Sequence, residues 1–218
     1  MLTRAETRRF YDRFGSKQDR QGFYEDRATR DLVEHADFAA AKAVLEFGSG
    51  TGRFAHDLLA NYLPTSTTYY CLDISSTMIN LSRQRLAEFG DRVMLTLTDG
   101  SPHLPAADAG FDRFVSNYVF DLLCEEDIHA LLKEAHRVLV PDGYLCAASL
   151  TDGLTPFSKV VTSVWKFIHR INAKIVGGCR PIRLLDYIHK GDWRVFHHNA
   201  MVAYGISSEI MIARKNGK

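Results

Sequence analysis

The run Glu46-Phe47-Gly48-Ser49-Gly50-Thr51-Gly52 constrains this chain more than any other stretch. A short apolar segment, Ala43–Phe47, leads into it, and a helical pattern, Phe54–Asn61, follows. A glycine-rich turn between a first strand and a helix is where α/β sheets bind nucleotide-like ligands, because backbone without a Cβ admits ligand atoms closely. The spacing narrows the ligand. A dinucleotide fingerprint, G-x-G-x-x-G, would need glycine at position 53, which is Arg53. A phosphate loop would end in Gly-Lys-Ser/Thr, and none is present. What remains is an acid followed by three alternate glycines, Glu46-x-Gly48-x-Gly50-x-Gly52.

The rest of the chain reads as strands and helices in alternation. Further strands are expected at Thr68–Leu72, Arg92–Leu97, Arg113–Ser116 and Tyr144–Leu150. Ser76 is expected to cap a helix reaching about Phe89, and Glu125–Leu139 to form another that Pro141-Asp142-Gly143 stops. This rhythm implies an α/β fold: a doubly wound, Rossmann-like, mostly parallel seven-stranded sheet with helices on both faces. Two last strand-like runs, Trp193–His198 and Ser207–Ala213, are close enough to form a C-terminal antiparallel hairpin at its edge. Residues 1–40, rich in charges and aromatics, read as an N-terminal helical cap, and 41–218 as the main domain. Within it, 151–192 looks like a substrate-side insertion. Its long helix, Thr155–Ile175, carries an apolar stripe around Trp165 opposite Lys159, Lys166, Arg170 and Lys174, and Gly177-Gly178 ends it.

Charge is distributed unevenly. From Val44 to Leu150 there are 7 Lys/Arg against 14 Asp/Glu, and from Thr151 to Lys218 there are 11 against 4. A basic C-terminal third suits a solvated face or a surface for an anionic or membrane partner. The four cysteines lack CxxC spacing, the nine histidines form no cluster with metal spacing, and no metal is expected. The N-terminal residues are charged and without an apolar core, and no apolar run approaches the ~20 residues that span a bilayer. A cytoplasmic protein is the expectation.

The acid and its three glycines resemble motif I of the class I S-adenosylmethionine-dependent methyltransferases. The likeness extends along the chain from Val44 to Leu150. Asp73 ends the second strand, where the family's acid accepts both ribose hydroxyls. Asp99-Gly100 ends the third, where the family's acid takes the adenine amino group and the next N–H meets the ring. Met78 stands where family members pack a side chain on adenine, and Ser116-Asn117-Tyr118 ends the fourth strand beside the methionine. Tyr11-Asp12 and the following aromatics resemble the lid helix of the small-molecule, type 11-like branch, which includes quinone-biosynthesis and lipid-headgroup enzymes. The cofactor site implied is Glu46, Gly48, Ser49, Gly50, Gly52, Asp73, Ile74, Met78, Asp99, Gly100, Asn117, Tyr118 and Tyr11.

That resemblance implies transfer of a methyl group from S-adenosylmethionine to a small-molecule acceptor, lipid-like or anionic, by in-line displacement. No general base is named by a motif; Asp121, Tyr118 and His197 are candidates. The DNA-amine signature Asp/Asn-Pro-Pro-Tyr is absent after strand four, where Ser-Asn-Tyr-Val stands, so no nucleic-acid partner is expected. A peripheral lipid contact is compatible with the basic helix. Two other readings stay open on the same layout: an NAD-type oxidoreductase, and a non-catalytic S-adenosylmethionine-binding protein.

Overall fold

A computed structural model describes residues 1–217. Its seven strands are β1 Ala43–Phe47, β2 Thr68–Asp73, β3 Val93–Leu97, β4 Phe111–Asn117, β5 Leu139–Leu150, β6 Trp193–Ala203 and β7 Ile206–Lys215. They form one sheet in the order β3-β2-β1-β4-β5-β7-β6. The first five strands are parallel, and β7 runs antiparallel to both β5 and β6. This is the mostly parallel sheet with an edge hairpin that the strand–helix rhythm implies. Because β1 pairs with β2 on one side and β4 on the other, the chain reverses its winding there. Crevices for ligands open at such a switch point, outside the carboxyl ends of the strands.

Side chains alternate across the sheet, so each strand feeds two cores. Leu45, Phe114 and Ala147 pack on one face with α5 (Glu125–Val138), which contributes Ile128, Leu131 and Ala135. Val44, Val115 and Cys146 pack on the other with α2 (Gly22–His35) and α3 (Arg53–Asn61). The helix after β2 is α4, Ser76–Arg85; its N-cap is Ser75, not Ser76, since the Ser75 hydroxyl accepts the Met78 N–H. It ends four residues short of the expected Phe89, and a 3₁₀ segment takes over. Pro141-Asp142-Gly143 does not merely stop α5: β5 begins at Leu139 and passes through it, with Asp142 at φ 65° and an irregular register against β4.

The N-terminal cap consists of α1 (Arg4–Phe14), a 3₁₀ segment and α2. It is tied across the strand ends by named polar contacts. The Asp12 carboxylate accepts from the Ser75 hydroxyl and the Thr77 N–H. Arg4 pairs with Asp127 at the start of α5, and Asp19 with Arg85 of α4. Helix α6, Pro156–Asn172, opens on a Thr155–Ser158 capping box. Its inward face carries the buried Ser158 and Thr162, together with Trp165 and His169, whose ring nitrogens meet the Cys179 and Gly178 carbonyls. His169 thus points inward rather than with the lysines. The expected stripe is split: Val161, Trp165 and Ile168 are half-buried, whereas Phe157, Val160, Val164 and Ile171 face outward.

Candidate active site

The glycine turn extends the β2 ladder: the Gly48 and Ser49 N–H groups both donate to the Leu72 carbonyl, at 2.8 and 3.1 Å. Gly48 sits at φ 80°, and a Cβ there would stand 2.4 Å from Val119 Cγ2. Gly50, at φ 55°, has Gln18 of the cap where its Cβ would go. The positive φ favours glycine at both positions, and at Gly48 the contact with Val119 adds a steric reason. The Gly50 N–H points at Asp73 and donates to Oδ2 at 2.8 Å; Oδ1 accepts the Ser75 N–H at the same distance. Each carboxylate oxygen keeps a further acceptor site, enough for a vicinal diol. Burial pushes the Asp73 carboxyl up to about 6, against the pull of those backbone donors.

Two cavities meet at this turn. The first, about 150 Å³, lies under α1 and is lined by Gly48, Gly50, Asp73, Ile74, Thr98 and Gly100, with Leu122 and Cys124. The second, about 500 Å³, is lined by Glu46, Ser49, Tyr24, Glu25, Asp121 and Cys179. Tyr11, Gln18, Gly48, Asn117 and Tyr118 line both. At the junction, both polar side-chain atoms of Asn117 are buried without a partner among the described residues, as is Gln18 Oε1. Buried amides seldom go unsatisfied unless a ligand or water completes them. Tyr118 holds a left-handed backbone, φ 56°, and its hydroxyl bonds Ser208 at 2.8 Å. Such strain at a strand end is a mark of a constrained site.

The expected residues are not all brought together. Glu46 is buried at the second cavity; its Oε2 accepts the Tyr69 hydroxyl, and burial raises its carboxyl to about 8. Ile74 and Gly100 line the first cavity in mutual contact, but Met78 is fully buried behind them and lines neither. Gly52 lies at the start of α3, behind Ser82, and is on neither wall. Asp99 is exposed, its Oδ1 accepting the Ser101 N–H, and the wall beside it is made by Thr98 and Gly100.

Asp121, one of three candidate bases, has the most unusual surroundings. It is fully buried on the short 3₁₀ turn Phe120–Leu122, and neither carboxylate oxygen has a hydrogen-bond partner among the described residues. Burial raises it to about 7 and nearby Glu25 adds to the rise, against the backbone at Asp121 and Leu150 and the charge of Arg180, which pull it down. Glu25, raised by burial to about 7, is partly countered by Arg53. Helix α6 ends at Asn172, short of the expected Ile175; Gly177 instead caps the 3₁₀ turn Ala173–Val176, and the segment after it supplies Cys179 to the cavity wall while the Arg180 N–H donates to the Asp121 carbonyl. His197 lies elsewhere. Its Nε2 meets Asp31 Oδ2 at 3.0 Å and its ring stacks on His35 at 3.7 Å. Asp31, His35 and His197 offer donor atoms within 4.8 Å of one another, a grouping that spacing along the chain hides. Among the described residues no helix is long and apolar enough to cross a membrane.

Residues 44–143, the stretch that builds this turn and both acids, match a family model described as a methyltransferase domain. Those residues make a methyltransferase domain, and the turn and sheet around it are similar to those of the class I S-adenosylmethionine-dependent methyltransferases. S-adenosylmethionine is the cofactor of that family. A malonyl-[acyl-carrier protein] O-methyltransferase of Laribacter hongkongensis is 33% identical over 159 residues, 67% of this chain and 51% of the relative. The methyltransferase GfsG of Streptomyces halstedii is 32% identical over 127 residues, 57% of this chain and 44% of the relative. The chain thus spans about half the length of these curated relatives. A methyltransferase solved with the Haloferax volcanii Trm112 activator superposes with a TM-score of 0.72 at 14% identity, over 97% of this chain and 98% of the other. That likeness concerns the fold. The chain's own geometry suits that cofactor: an acid with free acceptor sites, a glycine cradle that a Cβ would fill, and unpartnered amides where two cavities join.

Proposed function

We propose that this methyltransferase moves a methyl group from S-adenosylmethionine to a protonated nucleophile of a small, lipid-like molecule held in the larger cavity. The observation that carries this reading is Asp121, an unpartnered carboxyl buried where that cavity meets the glycine turn. In this reading Asp73 accepts the ribose hydroxyls, and Ile74 and Gly100 flank the adenine. Asp99 stands at the mouth, with its second oxygen left for the adenine amino group. Gly48, Asn117, Tyr11 and Gln18 receive the methionine end, with Glu46 and Ser49 behind them and Tyr118 on the acceptor side. Gly52 and Met78 support the turn and the slot from behind.

The cofactor supplies an electrophilic methyl on a sulfonium. The protein's tasks are to align the acceptor with it, exclude water and take a proton. Asp121, poised near neutrality, accepts that proton as the acceptor atom forms its new bond. Residues of the α1–α2 cap line both cavities and screen them from solvent on that side. Acids outnumber arginines in the larger cavity, where Asp19, Glu25, Asp26, Glu46, Asp57 and Asp121 face Arg30 and Arg53. That balance favours a neutral acceptor over an anionic one. Residues 151–192 contribute to the acceptor wall through Cys179. A cytoplasmic setting agrees with four free thiols.

The test pairs calorimetry with an acceptor screen. S-adenosylhomocysteine should bind the wild type, and Asp73→Ala should weaken it at least ~100-fold through loss of a charge-assisted diol contact. Release of S-adenosylhomocysteine from S-adenosylmethionine, screened over neutral lipid-like acceptors, reads the transfer. Absence of cofactor binding, or indifference to Asp73→Ala, removes the reading.

A further inference from the structure

Helix α6 is built in reverse of a helix that serves only a protein core. Its inward face is small and polar at Ser158 and Thr162. Trp165 also turns inward, but most of the helix's large aliphatic and aromatic side chains point outward. Phe157, Val160, Val164, Phe167 and Ile171 recur at three- and four-residue spacing, and Ile175 follows in the next turn. All six are between 51% and 70% exposed. The spacing places the first five in one stripe along the helix. At its N-terminal end the stripe continues onto the β6–β7 turn: Phe157 packs over Gly205, Tyr204 is exposed beside it, and Tyr204 meets the exposed Phe23 of α2 at 5.5 Å. Contiguous apolar surface of this extent marks an interaction site.

Charge identifies the occupant. Between Asp152 and Asp186 the chain has six Lys/Arg and no acid. Lys159, Lys166, Arg170 and Lys174 follow the helix along the edge of the apolar stripe. Lys166 and Lys174 reach Asp152 and Glu6, while Lys159 and Arg170 have no ion pair among the described residues. A second copy of the chain laid along the stripe would bring two such cationic rows together without a compensating acid. A bilayer interface with anionic headgroups accommodates both features: acyl chains take the apolar stripe, and headgroups meet the cations at its edge.

We propose that α6 docks this protein in the plane of an anionic lipid surface. No part of this depends on methyl transfer, although it would hold the larger cavity, whose wall includes Cys179 just after α6, near a source of lipid-like acceptors. The full chain should co-sediment with vesicles of phosphatidylcholine mixed with phosphatidylglycerol, and roughly tenfold less with phosphatidylcholine alone. Phe167→Glu with Ile171→Glu, and separately Lys159→Glu with Arg170→Glu, should each weaken binding to the mixed vesicles by roughly tenfold or more. These side chains are exposed, so unchanged melting and unchanged S-adenosylhomocysteine binding should accompany the loss. Wild type that ignores both vesicles overturns the proposal. So does equal vesicle binding by either variant, or a dimer in sedimentation velocity that the Phe167/Ile171 variant dissociates. Binding to an acidic carrier protein without binding to vesicles overturns it as well.

Discussion

Replacing Asp121 by asparagine separates its chemical role from its structural cost. The side chain is fully buried without a partner, so burial holds its carboxyl at about 7 against an ordinary 3.8. Folding therefore favours the protonated form. Its contribution to stability is fully present below pH ~3.8 and is lost as the pH rises through about 7. Spread over that interval, at ~1.36 kcal/mol per pH unit, the loss is about 4 kcal/mol. Asparagine has the same shape and does not ionise. Its stability relative to wild type should rise by up to about 4 kcal/mol between pH 4 and pH 8, equivalent to roughly 8–16 °C in Tm for a chain of this size. Over the same interval wild-type turnover should climb with the ionised fraction of Asp121, from about a tenth at pH 6 to about nine-tenths at pH 8. The variant should lose that limb and roughly 10²–10⁴-fold in rate, with unchanged affinity for S-adenosylhomocysteine. Paired thermal melts and pH–rate profiles read both effects. A stability difference flat with pH would refute the burial argument. A retained limb in the variant would move the base to Glu25, the other acid raised to about 7 in that cavity.

Gly48→Ala imposes a positive φ on a residue with a Cβ and drives that Cβ into Val119. Backbone strain of ~1–2 kcal/mol plus overpacking of ~1–3 kcal/mol should appear in urea denaturation, with partial recovery when Val119 is also cut to alanine. Asp99→Asn should change S-adenosylhomocysteine affinity by less than roughly tenfold, since Asp99 is exposed at the mouth, against the much larger loss for Asp73→Ala; equal losses would restore Asp99 to the wall. Arg4→Ala removes the Arg4–Asp127 pair that ties α1 over the first cavity; this partly exposed contact is worth at most about 1 kcal/mol, so stopped-flow should show the ligand leaving up to roughly fivefold faster, an effect matched by high salt in wild type.

The sheet was legible because the strands carried their own period and many of the turns a glycine or proline, though those after β2 and β4 carry neither. β1 falls on its expected residues, and the loop after it has one steric solution. Legibility ended where a contact joins distant segments. Arg113 reads as an ordinary strand residue. It is buried, donates to the Ala36 and Asp37 carbonyls at the end of α2, and stacks over Tyr144 at 4.4 Å, fixing the cap to β4. Gln18 and Glu25 reach the site only through the cap's docking, so no local spacing announces them. Met78 fits the family's position, yet its helix buries it, and Ile74 rather than Met78 lines the first cavity. In α6, periodicity showed that a stripe exists but not which part meets solvent, because the apolar arc is broad enough to face the sheet and the solvent at once.

The site's electrostatics follow from the same burial. Glu25, Glu46, Asp73 and Asp121 all have carboxyls raised by desolvation, and Arg53 is the one cation that ion-pairs with any of the four among the described residues. A protein interior that holds four such acids around two joined cavities is at a disadvantage when they ionise and at an advantage when a cation enters. The methyl donor of this family is a cation at sulfur, and its demethylated product is neutral there. The same acids that lower stability at alkaline pH therefore favour the donor over the product, and Asp121 gains a proton as that positive charge is lost. Rising pH should then tighten the donor more than the product, in step with the ionisation of groups near 6 to 8.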